Sequence, residues 1–261
     1  MMTISDRTIL VTGANRGIGR ALVDQALHRG ARRVYAGTRR GFEHPDPRVT
    51  RLDLDVTDPA QIERAAAAVE ELDILINNAG IFEPDDLGDR AALDRHLAVN
   101  LFGVYGVTQA FLPHLIRARG TIVNNVSLSA IAPIPVTPAY SLSKAAAFSL
   151  TVSLRALLSG HGVRVLAALT GPTDTDMVRA LDIPKAAPDA VAAAILDAAI
   201  AGDEEIFPDP LSQALADGWR NGPAKVLERQ NAALAGAPAD DSAAPGGDSA
   251  APGGDSAALA A

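Results

Sequence analysis

The chain has 261 residues, 48% hydrophobic and 21% charged, with a net charge of −8 and no cysteine. That ordinary globular balance excludes a disulfide framework and a thiolate metal site, and it offers no electrostatic attraction for nucleic acid or an anionic membrane. The histidines, His28, His44, His96, His114 and His161, are scattered without metal-ligand spacing, so no metal is expected.

In chain order, residues 7–12 form a short, β-branched apolar run that reads as a buried parallel strand. Thr12-Gly-Ala-Asn-Arg-Gly-Ile-Gly19 follows and opens an amphipathic helix over 17–29. Strand, glycine turn and helix in this order are the context of a dinucleotide site. Gly13 would allow the tight turn, Gly17 the close approach of backbone to a pyrophosphate, and Gly19 close helix–strand packing. The helix N-terminus offers free N–H groups to the phosphates. The second strand, 32–38, runs into Arg39 and Arg40. An NAD site would carry an acidic residue there, roughly 20 residues past the glycine motif, to hold the ribose hydroxyls. Arg39 and Arg40 instead suit a 2′-phosphate, with Arg16 as a further cation, so NADP(H) is expected over NAD(H).

Residues 40–50, with Pro45, Pro47 and Gly41, show little helical pattern. Strands are then expected at 49–55, 72–77, 120–126, 163–169 and 204–208, and helices at 59–71, 89–118, 138–160 and 188–201. The alternation points to an α/β fold: one Rossmann-like, doubly wound domain with a seven-stranded parallel sheet flanked by helices. Asp55 and Val56, ending the third strand, are candidate adenine contacts. Asn78, Ala79 and Gly80 stand at the carboxyl end of the fourth strand, where open α/β sheets bind ligands. Asn77-Asn-Ala-Gly80 also reads as a structural turn.

Tyr140 and Lys144 share one helix face, with Ser127 13 positions before the tyrosine. A cation beside a phenol favours the phenolate, so this tyrosine is a candidate acid/base and Ser127 a candidate holder of a carbonyl oxygen. Ser129 is a rival for the serine role.

Taken together, Thr12–Gly19, Asp55-Val-Thr-Asp58, Asn77–Gly80, Asn100, Ser127, Tyr140-x-x-x-Lys144 and Gly171-Pro-Thr-Asp-Thr-Asp-Met177 resemble the short-chain dehydrogenase/reductase family, in its compact branch. The resemblance covers residues 7 to about 208 and implies strand order 3-2-1-4-5-6-7. It implies an NADP(H)-dependent oxidoreductase of ketones or secondary alcohols, with catalytic Tyr140, Lys144, Ser127 and Asn100. In that reading Asn100 helps carry a proton-relay water and Lys144 holds the nicotinamide ribose. Asn15, Ile18, Gly171, Thr173 and Thr175 join the nucleotide contacts. The family's Pro-Gly appears here as Thr170-Gly171, which leaves the direction of the following short lid, 174–188, open.

From Asp241 an Asp-Ser-Ala-Ala-Pro-Gly-Gly unit repeats, so 236–261 reads as a disordered tail or linker after a domain at 1–235. Residues 211–234 are expected to form terminal helices. With neither a signal-like start nor a spanning apolar stretch, a soluble cytoplasmic protein is expected. The helices at 89–118 and 138–160, with Leu97, Leu101, Val104 and Phe148, suggest a homo-oligomer, a tetramer or dimer. A non-catalytic cofactor sensor tethered through the tail is the alternative.

Overall fold

Alternating Ile, Leu and Val along the strands send side chains to opposite faces, and helices bury both. The computed structural model describes residues 3–232. Strands β1 (Thr8–Thr12), β2 (Arg33–Thr38), β3 (Val49–Asp53), β4 (Ile74–Asn77), β5 (Thr121–Asn125), β6 (Arg164–Ala168) and β7 (Glu205–Ile206) form one parallel sheet, ordered β3-β2-β1-β4-β5-β6-β7. Ile9, Val11, Ile76 and Val123 face a core closed by α1 (Gly17–His28) and α6 (Pro188–Ala201), through Leu22, Val23 and Ile195. Leu10, Leu75 and Ile122 face the opposite core, closed by α2 (Pro59–Ala68), α4 (Val104–Ala118) and α5 (Pro138–Leu158), through Ile62, Phe111 and Leu154.

Local chemistry sets the helix starts. The Asp58 side chain accepts hydrogen bonds from the Ala60 and Gln61 N–H groups, and Pro59 pre-sets the first turn of α2. The segment expected as one helix at 89–118 is three pieces in continuous helical backbone. They are α3 (Arg90–Leu97), a π-helical turn (Ala98–Gly103) and α4. The second and third strands are joined without a helix across 40–48, as the prolines implied.

Beyond β7 come α7 (Pro210–Gln213), α8 (Ala216–Arg220) and α9 (Pro223–Ala232). Trp219 meets Phe148 edge-on at 5.5 Å. Lys225 of α9 is almost fully buried, with Nζ 2.7 Å from Glu204, 2.9 Å from Glu205 and 3.0 Å from Glu228. Arg155 of α5 joins the same three carboxylates, so α5, β7 and α9 are held by one charge cluster. Burial works to lower Lys225, but its three carboxylate partners outweigh that and hold it above its usual value. The cluster pairs two cations with three carboxylates, and none of its residues lines the cavity described below. The tail expected at 236–261 and the domain end at 235 lie outside the described residues. Among the described residues, no helix is long and apolar enough to cross a membrane.

Candidate active site

Four neighbouring strands are stitched at their carboxyl ends by side chains. The Thr12 hydroxyl accepts from the N–H groups of Asn78 and Ala79, at 2.9 and 3.0 Å, and the Asn78 amide donates back to the Thr12 carbonyl. Asn125 donates to the Asn78 side chain at 3.0 Å, and the Thr170 hydroxyl donates to Asn125 at 2.5 Å. One layer down, Asn77 donates to Thr108 and Asn124, and Asn124 donates to Thr151. Asn77-Asn-Ala-Gly80 is thus divided: Asn77 ties sheet to helices, while Asn78 to Gly80 open onto a cavity of about 860 Å³.

The glycine turn forms one end of this cavity. Gly13 and Gly17 take left-handed φ values of 65° and 53°. A Cβ on Gly19 would stand 2.2 Å from the Gly13 carbonyl oxygen, so helix and turn meet at a distance only glycine permits. The first turn of α1 carries no acidic residue, and its N-cap, Arg16, makes no side-chain cap bond. Those N–H groups therefore suit an anion. Asn15, Ile18, Arg16, Arg39 and Arg40 line this end with Asp55 and Val56. Asp55 Oδ1 is taken by the N–H and hydroxyl of Thr57, and its Oδ2 lies 3.9 Å from Arg39. Arg16 reaches the lid, pairing with Asp176 at 3.3 Å.

Tyr140, Lys144, Ser127, Gly171 and Thr173 line the same cavity, and Thr175 lines it against Gly17 of the glycine turn. Ser127 starts a 3₁₀ turn after β5, and its oxygen accepts from the Ser129 N–H and hydroxyl, at 3.1 and 3.0 Å. Ser129 therefore stands behind Ser127, whose own proton remains available for Tyr140. The Tyr140 ring is flanked edge-on by Phe82 at 5.0 Å and His96 at 6.2 Å. His96 is clamped, donating from Nδ1 to the Ala92 carbonyl and accepting at Nε2 from the Glu83 N–H. Phe82 and His96 carried no sequence signal, because only the fold brings them to residue 140.

The tyrosine lowered by its neighbouring lysine, expected from the spacing, is not what forms. Burial pushes Tyr140 up to about 12, against a hydrogen bond from Ser127 that pulls the other way. Burial also draws Lys144 down to about 8. Lys144 Nζ donates to the Asn125 carbonyl at 2.9 Å and lies 5.7 Å from the centre of the Tyr140 ring, so desolvation outweighs attraction.

Asn100 is the one expected site residue that does not line the cavity. The π-helical turn buries it, a device often found at functional sites. Its oxygen accepts from the Ile81 N–H, and its amide donates to the Ile81 carbonyl and to Ser143, at 2.9 to 3.0 Å. It fastens the segment after β4 to α5, one residue before Lys144. At the start of the lid, the Gly171 N–H donates to Asp209 at 2.7 Å, and a Cβ there would meet that carboxylate at 2.5 Å. Asp209 and the Thr170–Asn125 bond thus set the direction that the missing proline left open.

A sequence model described as short chain dehydrogenase matches residues 7–185. The chain is 32% identical over 200 residues to estradiol 17-beta-dehydrogenase 2 of Mus musculus, a match spanning 70% of this chain and about half, 52%, of that protein. It is 33% identical over 199 residues to the 2-(R)-hydroxypropyl-CoM dehydrogenase of Xanthobacter autotrophicus, spanning 69% of this chain and 80% of that one. A short chain dehydrogenase from Burkholderia cenocepacia, solved in complex with NADP, superposes with a TM-score of 0.81 at 36% identity, covering 88% of this chain and 98% of that one.

The shift of Lys144 sets a pH dependence. Its folded value, about 8, is below the ordinary 10.5, so between these the unfolded chain holds a proton the folded chain has lost. Stability from this group therefore rises with pH across that window and is lowest below pH 8. Denaturant unfolding should show wild type gaining stability relative to Lys144→Met from about pH 8 to 10.5. A flat or falling difference would contradict the burial of this ammonium.

Proposed function

The chain belongs to the short-chain dehydrogenase family of oxidoreductases, and on that premise we propose that it is an NADP(H)-dependent carbonyl reductase or alcohol dehydrogenase. The observation that carries this reading is the convergence of Ser127, Tyr140 and Lys144 with the glycine turn on one cavity. The nucleotide fits what is there: an uncapped helix N-terminus, a glycine cradle with no room for side chains, and three arginines at one end. Bound NADP(H) supplies or accepts the hydride.

The protein's task is then to hold the substrate and move one proton. Ser127 donates to the substrate oxygen and stabilises the charge that develops on it. Tyr140, kept protonated by burial, gives its phenolic proton to that oxygen in reduction and recovers it in oxidation. Lys144, held by the Asn125 carbonyl, would hold the nucleotide ribose and supply positive charge beside the phenolate once Tyr140 has given up its proton. Asn100 is a positioning residue here, since both amide N–H donors and its oxygen hold α5 to the segment after β4.

Arg39 and Arg40 are assigned to the 2′-phosphate, with Arg16 beside them. The absence of a carboxylate at the end of β2 supports this, as does the NADP complex of the Burkholderia structure. We also infer a homo-oligomer working in the cytoplasm. Phe102 and Tyr105, with Leu142 and Leu157 on α5, are 49% to 65% exposed and belong to neither core. The residues first singled out sit differently: Val104 is buried, Leu97 and Leu101 are half-buried, and Phe148 packs against Trp219.

Tyr140→Phe keeps the ring and deletes the proton, so turnover should fall roughly 10²–10⁴-fold with NADP(H) binding intact. Near-normal turnover under rate-limiting chemistry would remove Tyr140 from its role. Arg39→Ala with Arg40→Ala should weaken NADPH binding while sparing NADH. An unchanged NADPH affinity, or a clear NADH preference in the wild type, would contradict the 2′-phosphate assignment. Light scattering should give a multiple of the chain mass, reduced by Tyr105→Glu; a monomer at micromolar concentration would refute the oligomer.

A further inference from the structure

We propose that the substrate is an uncharged carbonyl compound of mainly hydrocarbon surface, a class that excludes carboxylated, sulfonated and polyhydroxylated ketones. This rests on the oxidoreductase reading and adds to it what the pocket selects. Three separate segments contribute large apolar side chains to the lining of the cavity that holds Tyr140: Ile134 and Val136 before α5, Met177, Leu181 and Ile183 on the lid, and Leu211 at α7. All six are between 38% and 68% exposed, although residues of this kind are normally buried. A patch gathered from distant parts of the chain around a reactive hydroxyl marks an apolar binding surface.

The lid is built to present this surface. Its stem is closed by a parallel bridge between Thr173 and Ala186, with Asp174 N–H donating to the Ala186 carbonyl and Ala186 N–H to Pro172, both at 2.9 Å. Met177, Leu181 and Ile183 therefore sit on a loop whose two ends are pinned together at the cavity rim.

Charge is distributed the opposite way. The charged side chains lining the cavity are Arg16, Arg39, Arg40, Asp55, Lys144 and Asp176. The first four stand at the glycine-turn end. Asp176 is paired with Arg16 and Arg179, and Lys144 is turned to the Asn125 carbonyl behind Tyr140. The cations nearest the apolar six are already engaged, Arg16 with Asp176 and Lys144 with the Asn125 carbonyl, so a carboxylate or sulfonate held there would lose its water without gaining a free partner. A polyol would leave its hydroxyls against hydrocarbon, at a similar disadvantage.

The test uses the full chain with NADPH and three ketones of like reactivity: an uncharged aryl alkyl ketone, the same ketone with a carboxylate remote from the carbonyl, and a ketose. Calorimetry of each ligand against the NADP⁺-loaded protein runs alongside. We expect kcat/KM for the uncharged ketone to exceed the other two by about 100-fold or more, since the charged group goes unpaired. Ile183→Lys should raise kcat/KM for the carboxylated ketone at least about tenfold, through a lower KM at unchanged NADPH affinity, because it supplies the missing partner. Equal or better turnover of the carboxylated ketone or the ketose would overturn the proposal while leaving the oxidoreductase reading intact. Binding of the uncharged ketone alone, with no turnover of any, would sustain the apolar pocket and overturn the oxidoreductase reading. An uncharged ketone that neither binds nor turns over would overturn the proposal itself.

Discussion

The carboxyl edge of the sheet depends on one run of side-chain hydrogen bonds, Thr12–Asn78–Asn125–Thr170, which crosses β1, β4, β5 and β6 in their spatial order. A parallel sheet leaves its strand-end amides and carbonyls unpaired at this edge, and buried groups of that kind need partners. Short amides and hydroxyls supply them without filling the space a ligand needs. Lys144 hangs from the same run through the Asn125 carbonyl, and Ser127 follows it by two residues. The glycine turn closes against it through Asn78 and Ala79. The glycine turn, Ser127 and Lys144 are thus held in register by a single polar seam.

Dryness shapes the chemistry as much as proximity does. The same desolvation raises Tyr140 and lowers Lys144, because each is disfavoured in its charged form. Left to themselves, the pair would be a neutral phenol beside a weakened ammonium. Ser127 is the group that pulls the phenol back. A protonated tyrosine in a cavity with apolar walls is matched to delivering a proton onto a carbonyl.

Much of this was legible in the sequence, and the rest has identifiable reasons for its silence. The glycine turn, the strand runs and the Tyr140–Lys144 face are local patterns, and local patterns survive the move to three dimensions. The π-helical turn at Ala98–Gly103 is invisible because an extra residue in one turn barely alters helical periodicity, yet it buries Asn100. The expected pKa of Tyr140 was wrong in direction because spacing reports which charges are near, whereas burial depends on the whole fold. Helical periodicity points to Val104 rather than Phe102 and Tyr105 as outward-facing for the same reason: which side of a continuous helix faces outward changes across the π turn. The Lys225 cluster joins residues from α5, β7 and α9 that no short-range pattern connects.

Isotope transfer tests the central claim most directly. NADPH carrying deuterium at the reactive nicotinamide C4 position, incubated with the protein and an uncharged aryl ketone in ordinary water, should yield alcohol deuterated at the carbinol carbon, one label per nucleotide oxidised. Alcohol without the label, or oxidation of NADPH with no alcohol formed, would contradict direct hydride transfer in this cavity.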